Sequence, residues 1–174
     1  MHWPALRSMR TKNELWVLSM NELPAASAPA ALAATLVVRR RIKSTPERLF
    51  AAWTQPALLA SWWGPEGVSC PSAEIDLRLG GSYRIANRFP DGSIVWIAGV
   101  FEEIDPPRRL VYSWKLESQT GPPERVTVCF VADAQSTEVV VTHERIPSEP
   151  ARTGHERGWV GCLDGLERFI SASG

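Results

Sequence analysis

The chain has 174 residues, of which 44% are hydrophobic, and its 19 lysines and arginines balance 19 aspartates and glutamates. That length suits one domain with a substantial core. The zero formal charge and the pI near 6.8 argue against a nucleic-acid partner, because such proteins carry a strongly basic surface. The eight tryptophans, against five phenylalanines and two tyrosines, indicate either a wide apolar space lined with rings or a tryptophan-rich core.

The cysteines indicate the redox compartment of the protein, and the apolar runs indicate whether it spans a membrane. Cys70, Cys129 and Cys162 are an odd number with no paired CxxC spacing, which argues against a disulfide framework or a zinc knuckle. We therefore expect a reduced, cytoplasmic protein. No apolar run approaches the roughly 18 residues that span a bilayer, so we also expect no membrane span.

The beginning of the chain differs in composition from the rest. Residues 25–34 include seven alanines, which is typical of a linker or a frayed helix. We expect residues 1–33 to form a flexible or poorly structured extension and residues 34–174 to form the folded domain.

The first elements of this domain are a strand and two short helices. Residues 36–42 alternate in the manner of a strand, and the sequence Ser44-Thr45-Pro46-Glu47 then supplies the cap and first turn of a helix that ends near Trp53. A second short helix begins at Pro56 and ends at Gly64-Pro65.

Six strand-like runs follow, separated by turn residues. Short connections between them indicate an antiparallel meander. The pair Gly80-Gly81 is interpreted as a hairpin turn, since no phosphate-loop pattern surrounds it. The predicted runs are 73–79, 83–89, 94–104, 110–117, 125–132 and 137–144.

The chain ends with a long amphipathic helix, for which the spacing of Thr153 and Glu156 predicts a capping box. Four glycines form a stripe beside its apolar face. Either a strand approaches the helix closely there or a ligand needs the room, and we favour the close approach of a strand. This helix has to cover the sheet. We predict an α+β fold in which a curved antiparallel sheet of about seven strands wraps around it. The apolar face is His155, Trp159, Cys162, Leu166 and Phe169, flanked by Leu163 and Ile170.

Two histidines are candidate polar groups of the interior. His155 lies one turn before Trp159, and His143 is in phase with Val139 and Val141 on the last strand. His155 is either a polar anchor or proton-transfer group in a cavity, or a helix-start histidine that bonds a neighbouring backbone group. Both rings could point inward. No third ligand stands at a recognisable spacing, so we predict no metal and no cofactor.

Five segments occur in an order that resembles the START-like, helix-grip (SRPBCC) superfamily, in particular the branch similar to the C-terminal domain of the heat-shock-protein-90 ATPase activator. The resemblance covers residues 35–171 and implies a sheet that grips a C-terminal helix with a cavity between them. The segments are TPERLFAAWTQPALLASWWGPEG, EIDLRLGGSYR, GVFEEIDPPRRLVYSW, TEVVVTHERI and GWVGCLDGLERFI.

The leading functional hypothesis is a binding module that holds a small apolar or aromatic ligand in a cavity of roughly 300–1,000 Å³. We expect binding rather than catalysis and assign no catalytic residue. The predicted ligand-binding residues are Trp62, Trp63, Tyr83, Trp96, Tyr112, Trp114, His143, His155, Trp159, Leu163 and Leu166.

Alternative functions use the same elements. A cyclase- or hydrolase-type enzyme would use His143, His155 or Tyr112 in proton transfer. A chaperone ATPase-activating domain is a third hypothesis, although residues 1–33 could not replace the separate N-terminal domain of that co-chaperone. The strand over 94–101 is apolar on both sides, which indicates a homodimer.

Overall fold

The computed structural model describes residues 33–173. The predictions made for residues 1–32 lie outside this part of the chain. Within it the elements are β1 (Ala34–Ile42), α1 (Pro46–Thr54), α2 (Pro56–Trp62), β2 (Ala73–Ile75), β3 (Ser82–Arg88), β4 (Ile94–Asp105), β5 (Arg109–Leu116), β6 (Glu124–Asp133), β7 (Ser136–Ile146) and α3 (Glu149–Ala172).

The seven strands of the described chain form one antiparallel sheet in the order β1-β7-β6-β5-β4-β3-β2. Strands β2 to β7 follow one another as a meander, and β1 pairs with β7 in the opposite direction, with Val38 opposite Val141. Helix α3 packs against this sheet, and α1 and α2 follow β1. The predicted α+β helix-grip fold is confirmed.

The starts of the helices follow from their caps. At α1 the Thr45 side chain accepts the N–H of Arg48 at 3.4 Å, and Pro46 occupies the first position, as predicted. The capping box predicted at Thr153 is wrong, because α3 begins at Glu149 and Ser148 accepts the N–H of Ala151 at 3.3 Å. A proline in the first turn is tolerated there because its missing N–H would have no partner within the helix.

The strand predicted over 73–79 is shorter in the structure. It ends at Ile75, and the N–H of Arg78 then donates to the carbonyl of Asp76 at 2.8 Å. The chain turns back so tightly that a Cβ on Gly81 would lie 2.0 Å from the Asp76 oxygen. Residues 76–79 alternate between polar and apolar types as a strand does, but they form a turn.

The glycines of α3 pack against the end of α2 and the loop after it. A Cβ on Gly161 would lie 2.6 Å from the Cβ of Pro65, and one on Gly165 would lie 2.5 Å from the Trp62 carbonyl oxygen. Close packing therefore explains these two glycines, as predicted. The predicted partner was wrong, however, because α3 approaches α2 and its loop and not a strand. No helix within residues 33–173 is long and apolar enough to cross a membrane.

Candidate functional site

His143 lies on the inner face of β7. Val139, Val141 and His143 alternate with half-buried residues along the strand, and each of the three is 0% exposed. The period of two that places the valines in the core therefore places an imidazole ring there as well.

Helix α3 brings two further side chains to this ring. His155 and Trp159 stand one turn apart on its buried face and are 4% and 5% exposed. The indole Nε1 of Trp159 donates to Nδ1 of His143 at 3.0 Å. The Trp114 ring of β5 packs edge-on against both imidazoles, with ring centroids 5.2 Å from His143 and 4.8 Å from His155.

A carboxylate completes the group. Glu124 opens β6, two residues before Val126, which is paired with His143. Its Oε2 lies 2.8 Å from Nε2 of His143 and 2.9 Å from Nε2 of His155. We call these three residues, Glu124, His143 and His155, the acid–imidazole cluster.

The charge states within the cluster follow from burial and from these contacts. Burial lowers the pKa of His143 to about 4, although the nearby Glu124 carboxylate acts in the opposite direction. Burial also raises the pKa of the Glu124 carboxyl group, but the contacts with His143 and His155 outweigh burial and hold that pKa below its ordinary value. Near neutral pH the carboxyl group is therefore charged and the His143 ring is neutral.

The hydrogen bonding of the cluster is incomplete. The atoms lie within hydrogen-bond distance, yet neither Glu124 Oε2 nor His143 Nε2 has a well-aligned partner among residues 33–173. Buried polar atoms of this kind are uncommon in folded proteins, and each calls for an explanation.

The cluster also resembles a metal site, because one ligand atom from each residue lies within 4.8 Å of the others. The hydrogen bond from Trp159 argues against this use. Since Nδ1 of His143 accepts the indole N–H, the single proton of the neutral ring resides on Nε2, and that nitrogen has no lone pair for a metal. The arrangement is better suited to hydrogen bonding and proton transfer.

A small cavity adjoins the cluster. Its volume is about 20 Å³, enough for about one water molecule. We call it the histidine cavity. Burial raises the pKa of the Cys162 thiol beside it to about 12, so this thiol is not a nucleophile near neutral pH. The walls are Trp63, Asn87, Ile97, Trp114, His155, Gly158, Trp159 and Cys162.

A second cavity of about 20 Å³ lies on the other side of Trp63, and we call it the tyrosine cavity. Its polar atoms are already paired, since Trp53 Nε1 donates to the Tyr112 hydroxyl at 3.4 Å and the Tyr83 hydroxyl donates to the Ser113 carbonyl at 2.8 Å. Burial raises the pKa of both tyrosines. The walls are Trp53, Leu59, Trp63, Ile75, Tyr83, Ile85, Phe101 and Tyr112.

The structure brings most of the predicted ligand-binding residues to these two cavities or to the cluster, but four lie elsewhere. Trp96 is on the outer face of β4, where the Arg84 guanidinium covers its ring at 3.7 Å. Trp62 bonds through its Nε1 to the Ala52 carbonyl at 2.9 Å. Leu163 and Leu166, both 0% exposed, are core residues that line neither cavity.

Two polar residues of the site were missed by sequence reasoning. Glu124 is in phase with Val126 and Val128 on β6, and Asn87 is in phase with Tyr83 and Ile85 on β3. A polar residue in phase with the inward apolar residues of a strand is the signal that could have found both. Glu124 was overlooked because the predicted strand began one residue after it.

Comparison with solved structures gives the same fold. A protein from Chromobacterium violaceum is 25% identical, with 78% of this chain and 96% of that chain covered at a TM-score of 0.72. A putative uncharacterized protein from Rhizobium leguminosarum is 27% identical, with 80% and 95% covered at 0.68. The AHSA1 protein from Silicibacter pomeroyi is 24% identical, with 81% and 100% covered at 0.73.

Comparison with protein families identifies the family of this chain. A search of curated proteins found no match. The family model described as activator of Hsp90 ATPase homolog 1-like protein matches residues 43–171. That range includes both short helices, the strands from β2 to β7 and nearly all of α3. The chain therefore belongs to the family of activator of Hsp90 ATPase homolog 1-like proteins, which have the START-like fold.

Proposed function

We propose that this chain binds a small, mostly apolar or aromatic molecule between the sheet and α3, and that the acid–imidazole cluster holds a polar group of that molecule. The observation that carries the proposal is His155, which contacts a charged carboxylate and also faces the histidine cavity. Ligand sites commonly combine apolar walls with a few polar groups that fix orientation. Here the rings provide the walls, while His155 and Asn87 provide the polar groups.

The test uses two probes that differ by one hydroxyl group, 2-naphthol and naphthalene. We expect 2-naphthol to shift the NMR signals of the His155 ring and to bind more tightly than naphthalene. His155→Phe keeps a ring but removes the polar contact. It should therefore weaken 2-naphthol about tenfold and leave naphthalene nearly unchanged.

The matched control is Trp96→Phe, which alters an aromatic ring on the outer face of β4 and should leave both affinities unchanged. Equal losses for the two probes in His155→Phe would show that His155 does not select the polar group. If neither probe bound the wild-type protein, the binding proposal would be abandoned.

Proton-transfer catalysis is a second candidate, favoured by the contact between Glu124 and His155. A carboxylate that holds the proton on one ring nitrogen leaves a lone pair on the other nitrogen. In such a reaction a C–H bond of the substrate breaks and His155 takes the proton. The ring then exchanges this proton with solvent and returns a solvent proton to the same carbon. The test is deuterium uptake beside the carbonyl group of 2-tetralone in heavy water. Equal rates for the wild-type protein and His155→Gln would exclude this candidate.

A further inference from the structure

Trp63 separates the two cavities. Among residues 33–173 it is the one residue that lines both the histidine cavity and the tyrosine cavity. Its ring is 6% exposed and meets Trp159 and Trp53 nearly at right angles, with ring centroids 5.7 Å and 6.3 Å apart. Moving this one ring would therefore join two water-sized spaces into a single space with aromatic walls.

Within the described part of the chain, one hydrogen bond holds the side chain of Trp63. Its Nε1 donates to Oδ1 of Asn87 at 3.1 Å, and Asn87 is 1% exposed. The Asn87 amide nitrogen lies 3.5 Å from the Val95 carbonyl oxygen. A buried amide oxygen without a donor is unfavourable. Any group that takes the place of the Trp63 ring therefore has to supply a donor to the same oxygen.

Trp63 lies at the end of a helix, so a movement of its side chain does not require that helix to unwind. Trp63 is the C-cap of α2, and Gly64 follows it with a φ of +112°. The next turn contains Gly67, with a φ of +84°. Residues at the end of an element, followed by glycines, are where conformational changes are commonly absorbed.

We propose that Trp63 occupies the ligand's place in the free protein, and that the ligand is a flat aromatic molecule about the size of indole with one hydrogen-bond donor for Asn87. This inference rests on the proposed function and adds the chemical class of the ligand. It also accounts for the small volume of the interior, because the ring that the ligand displaces now fills the space.

The first experiment titrates the wild-type chain with indole and with 1-methylindole, which lacks the N–H. Indole should move the Trp63 indole N–H signal in NMR spectra toward that of a water-exposed indole. It should also bind about tenfold more tightly than 1-methylindole, because only indole can donate to Asn87.

The second experiment measures indole binding to Trp63→Phe, which keeps an aromatic ring but leaves Asn87 without its donor. The displaced-ring hypothesis predicts an affinity about tenfold higher than that of the wild type, whereas a fixed wall predicts equal or weaker binding. Trp96→Phe serves as the control and should equal the wild type.

Three results would overturn the inference: an unmoved Trp63 signal in the indole complex, no gain in affinity for Trp63→Phe, or no binding of indole to either protein. The first two would leave the proposed function intact if 2-naphthol still shifted the His155 ring. A failure of binding in general would instead be seen with the naphthol probe as well.

Discussion

Glu124 carries a charge in an interior built from rings, and the two imidazoles make that burial tolerable. Removing an ion from water costs several kcal/mol, which is offset only by close polar partners. Glu124 is 7% exposed and has such partners at 2.8 Å and 2.9 Å. Removing one member of the cluster leaves the others buried without a partner. The loss in free energy of unfolding should therefore exceed the net contribution of the intact cluster to stability.

The first prediction concerns this carboxylate. Glu124→Leu leaves the polar atoms of His143 and His155 without their partner and should lower the free energy of unfolding by about 3 kcal/mol. Glu124→Gln retains an acceptor and should cost about 1 kcal/mol. Urea unfolding at pH 7 measures both changes.

The control for this prediction is Glu117→Gln on the surface. The ion pair of Glu117 with Arg84 is more than a third exposed at both side chains, so the change should be within about 1 kcal/mol. A Glu124→Leu protein as stable as the wild type would contradict the role given to the carboxylate.

The second prediction is a pH dependence caused by His143. The unfolded chain takes up a proton at this ring near pH 6.5, whereas the folded chain does so only near pH 4. Between these values the unfolded state binds more protons, so stability is complete above this window and falls as the pH drops through it, by roughly 3 kcal/mol. His143→Gln should lose that part of the slope in urea unfolding between pH 4 and pH 7.

The pKa of Glu124, held below its ordinary value, adds a further loss at lower pH. Such a carboxyl group stabilises the fold while it is ionised, and this contribution disappears as the pH falls through its folded-state pKa. His143→Gln keeps only the contact of Glu124 with His155, so its loss at the acid end should be smaller than that of the wild type. Parallel curves over the whole range would contradict a neutral, buried His143.

At the level of elements, α3 and α2 pack closely because glycines of α3 have no side chain at the contact. Each interior glycine lowers helix stability by roughly 1 kcal/mol relative to alanine. At Gly165, however, an added Cβ would lie 2.5 Å from a backbone oxygen of Trp62, which cannot move aside as a flexible side chain can. The sequence therefore gives up helix propensity for a close contact.

The third prediction tests that contact. Gly165→Ala should destabilise the protein by about 2 kcal/mol, since overpacking outweighs the gain in helix propensity. Arg168→Ala, at an exposed position on the same helix, should change stability by no more than about 0.5 kcal/mol. Thermal unfolding compares the two variants. A stabilised Gly165→Ala protein would show that the glycine is not needed for packing.

How well elements can be predicted depends on what ends them. Pro46, Pro56 and the Gly64-Pro65 pair are local signals, and the helices they bound were predicted to within a residue or two. The end of β2 at Ile75 was not predictable from alternation. Residues 76–79 alternate like a strand, but the close approach of Gly81 to the Asp76 carbonyl is a property of the folded turn.

At the scale of the molecule, β6 and β7 lie inside the sheet, whereas β2 has three residues and lies at its edge. The core positions of β6 and β7, such as Val126, Val128, Val139 and Val141, are 0% exposed. Local opening is easiest where few apolar contacts hold an element. The free energy of opening should therefore differ strongly across the sheet.

The fourth prediction follows from that difference. In hydrogen exchange measured by NMR, the paired amides of β6 and β7 should exchange through global unfolding, and those of β2 should exchange orders of magnitude faster. Urea should accelerate the first group in proportion to global unfolding and hardly affect the second. Equal protection across the sheet would contradict this view of where the stability resides.

The order of elements predicted the overall fold, because a meander with one long amphipathic helix has few ways to cover its inner face. The state of the interior was not predictable. Whether the rings of Trp53, Trp63 and Trp159 line an open space or fill it depends on their rotamers and mutual angles, which periodicity does not encode. The contact of Glu124 with His155 likewise needs β6 and α3 to meet in the folded chain.

The hydrogen bond from Trp159 to His143 has a consequence for how the helix sits on the sheet. Apolar surfaces tolerate sliding, but a donor and an acceptor meet at only one offset. With Trp159 bonded to β7 and His155 against the first residue of β6, moving α3 by one turn, about 5.4 Å, would break both contacts. The helix is thereby held at one offset along its own axis, so His155 and Trp159 keep their positions beside the histidine cavity.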